Sequence, residues 1–221
     1  MRRKSYLVTS VIFFLLFIIV TLYTSGTQGF LLDETVAYWA DDMTSSRFLA
    51  LMNIMSMLGS SELILIVTVL IGLILLIRRS WTNFFLFFVL SVGGVVLNLV
   101  LKMLIRRDRP GDEVSYIEVF NMELQLQSYS YPSGHTMRAT ILCLFLIFLT
   151  IVYLRRNASK IIISALCILL LGFIALSRVV LDAHHVTDVI GAIFVSLTWF
   201  FLCLYFFHKQ RSMFSMGTIR W

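Results

Sequence analysis

Asn83-Phe-Phe-Leu-Phe-Phe-Val-Leu-Ser-Val-Gly-Gly-Val-Val-Leu-Asn-Leu-Val-Leu101 carries no charged side chain until Lys102 closes it. A bilayer core about 30 Å thick is crossed by roughly 20 apolar residues in a helix. The stretch is long enough to cross, and similar apolar runs lie at 6–23, 62–77, 137–154, 161–176 and 186–207. With 59% hydrophobic and 14% charged residues in 221, and a mean hydropathy of +0.92, the chain lacks the polar surface of a water-soluble globule. Extended to their helical ends, the runs predict six crossings at 6–23, 62–77, 83–104, 136–154, 161–178 and 185–207. The fold expected is an all-α, integral membrane six-helix bundle forming one domain over 1–221. The first run follows Arg2, Arg3 and Lys4 as a secretory signal would. Its length, and the lack of a small-x-small cleavage site at Thr24-Ser25-Gly26, make it a retained helix.

The charges orient the bundle. Cytoplasmic loops collect Lys and Arg, and an inside N-terminus puts Arg2, Arg3, Lys4, Arg78, Arg79, Arg155, Arg156, Lys160, Lys209, Arg211 and Arg220 on the inner side. Arg47, Lys102, Arg106, Arg107, Arg109, Arg138 and Arg178 remain outside with all the acidic residues. Both termini are thus expected in the cytoplasm of a plasma-membrane protein. The net charge of +6 is accounted for by helix ends and does not call for nucleic acid. Cys143, Cys167 and Cys203 sit inside apolar runs without metal-ligand spacing and read as small buried hydrophobes.

All the outer basic residues but Arg47 cluster at three junctions, together with Pro110, Pro132 and three of the four histidines. Ionisable groups this close to hydrocarbon are costly, so the clustering marks a site. At the first junction Lys102, Arg106 and Arg109 are spaced i, i+4, i+7, one face of a helix that Pro110 ends. Such a face suits a phosphate dianion, or equally a row of side chains snorkelling to lipid headgroups. At the second, Tyr131-Pro132-Ser133-Gly134-His135-Thr136 delivers Ser133 and Gly134 to a helix N-terminus, where free backbone N–H groups attract anions. His135 beside them has the pKa range of a general acid. At the third, Ser177-Arg178 precedes Asp182-Ala-His184-His185-Val-Thr-Asp188. His184 and Asp188 are i, i+4, so the carboxylate can take one ring hydrogen and free the other nitrogen to attack. His185, three residues before Asp188, is the rival, and simple capping of the last helix is the structural alternative.

Lys102-x6-Arg109-Pro110, Pro132-Ser133-Gly134-His135 and Ser177-Arg178-x5-His184-x3-Asp188 together resemble the three-part signature of the type 2 phosphatidic acid phosphatase family. Its membrane members include bacterial phosphatidylglycerol phosphate and undecaprenyl pyrophosphate phosphatases. The resemblance implies His184 as nucleophile, Asp188 as its orienting carboxylate and His135 as general acid and then base. Lys102, Arg109, Ser133, Gly134 and Arg178 are implied phosphate ligands, with no metal and no other cofactor. It further implies a lipid phosphate substrate at the extracytoplasmic face, with phosphatidylglycerol phosphate foremost, then isoprenoid diphosphate and phosphatidate. No obligate protein partner is evident. Many relatives read His-Tyr-Pro-Thr-Asp where this chain has His184-His185-Val186-Thr187-Asp188, so a protonated His185 is expected to depress the pKa of His184. Arg106, Arg107 and Arg138 fall outside the signature, as ligands of a second acidic group or contacts to headgroups.

Residues 24–60 mix acids with Tyr38, Trp39 and several Met, the composition of short helices at the outer interface. The long acidic stretch 111–131 is expected as a loop. Three rival activities stand beside hydrolysis: phosphoryl transfer to a nonaqueous acceptor, transport of a phosphate-bearing lipid, and metal-dependent hydrolysis on His135, His184, His185 and Asp188. The neighbouring cations argue against the last by repelling a divalent ion.

Overall fold

The computed structural model describes residues 2–24, 27–42, 45–110, 116–119, 122–127 and 129–215. Eight helices appear among them: α1 (Arg2–Thr24), α2 (Thr27–Asp42), α3 (Ser46–Leu58), α4 (Ser61–Ile77), α5 (Trp81–Ile105), α6 (Gly134–Tyr153), α7 (Asn157–Val180) and α8 (Val186–Ser215). The stretch expected as an acidic loop instead contains two antiparallel strands, β1 (Tyr116–Val119) and β2 (Met122–Gln127). Short backbone pairing of this kind gives no apolar periodicity in the sequence.

Arg3–Thr24 within α1, and α5, α6, α7 and Val186–Phe207 within α8, are each long and apolar enough to cross a membrane. The run at 62–77 is too short by itself; α3 and α4 pass the same test only as a pair bent by 43°. Ser60 makes the break. It is the N-cap of α4, its hydroxyl accepting from Leu63 N at 3.2 Å, while Gly59 closes α3.

Helix α1 runs antiparallel to α8, with Ser10 Oγ donating to the Thr198 carbonyl at 2.9 Å and Arg3 stacked over the Tyr205 ring. The core between α5, α6 and α8 is aromatic, and Phe87 and Phe145 stack at 4.3 Å between centroids. Gly93 admits Trp199, since a Cβ there would come within 2.4 Å of the indole. Lipid offers helices no hydrophobic drive to associate, so close approach over small residues supplies dispersion contact instead. Outward faces are apolar: Val8, Ile12, Leu15 and Ile19 on α1, and Ile161, Ile162, Leu166 and Leu169 on α7, are all exposed. Cys143, Cys167 and Cys203 are buried and free, as their apolar setting predicts.

The up-and-down course brings the ends of α5 and α7 and the starts of α6 and α8 to one end of the bundle. At the other end Tyr153, which finishes α6, meets the α4–α5 turn through Asn83 and Ser80.

Candidate active site

Helix α5 stops earlier than its charges predict. Arg106 adopts a left-handed backbone, φ 51°, and its Nε turns back to the Met103 carbonyl at 3.0 Å. Lys102 therefore remains on the helix while Arg107 and Arg109 lie on the segment beyond it. The single helical face proposed for Lys102, Arg106 and Arg109 does not form, and Arg106 is exposed. The sequence pattern missed the helix stop because the left-handed residue is an arginine, with neither glycine nor asparagine to mark it.

Helix α6 opens as its sequence requires. Ser133 is the N-cap, with its hydroxyl 3.1 Å from Thr136 Oγ1, and Asn98 on α5 donates to the Pro132 carbonyl at 3.1 Å. Ser133 Oγ acts there as an acceptor, so the cap does not use its hydroxyl hydrogen. The first backbone N–H groups of a helix have no partner within it, and those of Gly134 and His135 are among them. A Cβ at Gly134 would lie 3.3 Å from Arg138 Nη1, because Arg138 reaches back over the helix start.

Helix α7 ends through Asp182, φ 51°, and the chain folds back so that Ala183 and His184 both donate to the Arg178 carbonyl, at 3.1 and 3.0 Å. His184 and His185 thus precede α8 rather than occupying its first turn. His185 is the N-cap, and Asp188 reaches back to its backbone N–H at 2.9 Å. The same carboxylate thus caps α8 and lies beside His184.

Asp188 is fully buried and heavily bonded. Arg107 donates to Oδ1 at 2.6 Å, and Ser130 donates to Oδ2. The His184 Nδ1 lies 3.5 Å from Oδ2, while Ser130 Oγ is 3.1 Å from the same nitrogen. Arg107 also pairs with Asp33 of α2, whose carboxylate accepts from the Thr187 backbone at 3.1 Å. Arg107 is therefore an internal bridge between α2 and α8, with its guanidinium already engaged by carboxylates. The expectation that it serves a second acidic group or the lipid headgroups is corrected by this pairing.

Cations gather around the two histidines His184 and His135. Lys102 and Arg109 both act electrostatically on His184, and Arg109, Arg138 and Arg178 act on His135. Lys102 donates to the Tyr129 carbonyl, and Arg178 to Ser56 of α3. The Nε atoms of Arg138 and Arg178 are buried and make no hydrogen bond among the described residues. Residues 102, 109, 133, 134, 135, 178, 184 and 188 therefore all meet at one end of the bundle. A cavity of about 90 Å³ is lined by His184 and His185 together with Asp33, Glu34, Asp182 and Pro110.

Burial pushes the His184 pKa down to about 4, opposed by Asp188 and assisted by Lys102 and Arg109. His185 is not among the causes, and burial, followed by Arg107, lowers its own pKa. The depression expected from a protonated His185 is thus supplied by desolvation instead. Among the described residues, no three His, Cys, Asp or Glu side chains come together as a metal-binding group.

Ser130, Asn98, Asp33 and Ser56 were not assigned to the site from sequence. Asp33 and Ser56 reach it from helices far away in the chain, and a hydroxyl at position 130 leaves no pattern of its own.

The sequence profile of the PAP2 superfamily matches residues 81–212, from the start of α5 into α8. The chain belongs to the PAP2 superfamily. Phosphatidylglycerophosphatase B of Bacillus subtilis (strain 168) is 29% identical over 207 residues, covering 91% of this chain and 95% of that protein. A crystal structure described as the first transmembrane PAP2-type phosphatidylglycerolphosphate phosphatase from Bacillus subtilis superposes with a TM-score of 0.76 at 27% identity. That match covers 91% of this chain and 96% of the other. The resemblance carried by the three motifs is thereby confirmed. The protein is a PAP2 phosphatase, a hydrolase of phosphate esters, with helices built to cross a membrane.

Proposed function

We propose that this PAP2 phosphatase hydrolyses the terminal phosphate of a membrane lipid at the outer face of the plasma membrane, through a phosphohistidine on His184. Phosphatidylglycerol phosphate is the first substrate, supported by the two relatives named for that activity. Undecaprenyl pyrophosphate and phosphatidate follow. The observation that carries the reading is the setting of His184, with Asp188 at its Nδ1 and Lys102, Arg109 and His135 near enough to act on it electrostatically.

In this reaction the His184 Nε2 lone pair attacks phosphorus as the bond to the lipid oxygen breaks. His135 gives that oxygen its proton, then takes one from the water that cleaves the phosphorus–nitrogen bond. Lys102, Arg109, Arg178 and the backbone N–H groups at Gly134 hold the equatorial oxygens, where charge spreads in the transition state. Ser133 fixes the helix start as an acceptor and keeps its hydroxyl hydrogen to donate to a phosphate oxygen. No metal is required, because the guanidinium and ammonium groups supply the positive charge.

The single domain spans the membrane six times, with α4, entered through the 43° bend after α3, as the second crossing and α2 and α3 at the interface. Basic residues at the end opposite the site support cytoplasmic termini.

Purified full-length protein in detergent with excess chelator is expected to release phosphate from the three lipids, fastest from phosphatidylglycerol phosphate, and His184→Ala to release none. Turnover surviving in His184→Ala, or lost in wild type on chelation, sinks the mechanism. Phosphate transfer seen only when a second lipid is supplied makes the protein a transferase. Orientation is tested in intact cells with an impermeant thiol reagent, for which the buried native cysteines give little background. Tyr38→Cys, on an exposed position of α2, is expected to label and Lys160→Cys to stay unlabelled. The opposite pattern inverts the topology.

A further inference from the structure

Ser130 lies two residues ahead of Pro132, is fully buried, and is held by its backbone N–H donating to the Arg107 carbonyl at 2.7 Å. That anchor sets its hydroxyl between the turn bearing His184 and the first turn of α8. The His184 Nδ1 is closer to this hydroxyl, 3.1 Å, than to the Asp188 carboxylate, 3.5 Å.

We propose that Ser130 is a positioning residue that fixes the tautomer of His184, passing the hold of Asp188 to the imidazole through its hydroxyl. The inference rests on the reading of His184 as nucleophile. An ionised carboxylate can only accept hydrogen bonds, and Asp188 already receives them from Arg107 at 2.6 Å and the His185 backbone at 2.9 Å. The Ser130 hydrogen must therefore point at Asp188 Oδ2, which leaves a lone pair of Oγ facing the ring. Nδ1 then has to be the donor. A neutral imidazole carries one N–H, so Nε2 is left unprotonated with its lone pair free.

When Nε2 forms its bond to phosphorus and the lipid oxygen departs with a proton from His135, Nδ1 keeps its hydrogen and the ring becomes cationic. Ser130 carries that charge toward Asp188 without a proton changing hands. Without the hydroxyl, Nδ1 faces a carboxylate beyond ordinary hydrogen-bond distance, and the ring is free to hold its hydrogen on the attacking nitrogen instead.

Ser130→Ala, Ser130→Thr and wild type are compared as full-length proteins in detergent on phosphatidylglycerol phosphate. Ser130→Ala is expected to lower kcat roughly ten- to a hundredfold, as loss of a histidine's orienting partner does, with KM within about twofold. Ser130→Thr, which keeps the hydroxyl, restores most of it. Nitrogen-15 spectra of histidine-labelled wild type, with His184 assigned by its loss in His184→Ala, should show Nδ1 protonated and Nε2 bare. In Ser130→Ala the two nitrogens should share the hydrogen. Unchanged kcat in Ser130→Ala beside an inactive His184→Ala overturns the relay alone, as does a wild-type ring protonated at Nε2. Activity retained in His184→Ala removes the nucleophile reading and the relay with it.

Discussion

The His184 ring is 3% exposed, and its folded pKa near 4 contrasts with about 6.5 for a histidine in an unfolded chain. Between those values the unfolded chain binds a proton that the folded site refuses. Folding stability is therefore complete above about pH 6.5 and declines as pH falls toward 4, where the loss levels off. At about 1.4 kcal/mol per pH unit the cost is on the order of 3 kcal/mol. Thermal unfolding in detergent should show the wild-type Tm falling more steeply from pH 7 to 4 than that of His184→Gln; parallel curves would contradict the burial argument. At this scale the clustering was largely legible, since Lys102, Arg109, His135, Arg178, His184 and Asp188 come to one end of the bundle from motifs with fixed spacing. What stayed hidden was how each is held. The left-handed Arg106 removed Arg109 from the helix, and the Ser133 oxygen went to a cap, because local backbone geometry decides both and the spacing does not.

Helix α2 is tied to the centre by one carboxylate. Asp33 is 4% exposed and binds both Arg107 and the start of α8 at Thr187, so α2 and the segment after α5 are held by shared charge. Asp33→Asn keeps the shape and removes the charge, at an expected cost of about 1–3 kcal/mol, the range for a hydrogen bond to a charged group. Combined with Arg107→Gln, the losses should fall well short of their sum, because the two side chains share one interaction. Additive losses in a double-mutant cycle of thermal stability would mean the pair is not coupled. Residues 27–58 were readable as short helices from their mixed composition, yet nothing in that composition singled out Asp33 or Ser56. The two strands after α5 were equally unreadable, being four and six residues long. The apolar run at 62–77 showed its helix but not the 43° bend before it, since the break rests on a serine cap beside a glycine.

Across the whole molecule, the polar groups are sorted by depth. Helices α1 and α7 have only 17% of their apolar windows buried, so most of their side chains meet hydrocarbon, while the ionisable groups crowd one end. Composition made this division legible, because lipid as solvent inverts the usual rule for exposed surface. The balance of charge within the crowded end has a further effect. Arg107 is answered by two carboxylates, whereas Lys102 and Arg178 rest against neutral oxygens, a carbonyl and a hydroxyl. A pocket so endowed does not distinguish a reactant's anion from the liberated one. Orthophosphate is therefore expected to linger after each cycle, competing with the incoming lipid and raising Tm, by about 2.7 kcal/mol of stability at a hundred times its dissociation constant. A phosphate titration that shifts neither apparent KM nor melting would show that the vacated site has no such appetite; otherwise, the enzyme throttles itself whenever its own product accumulates.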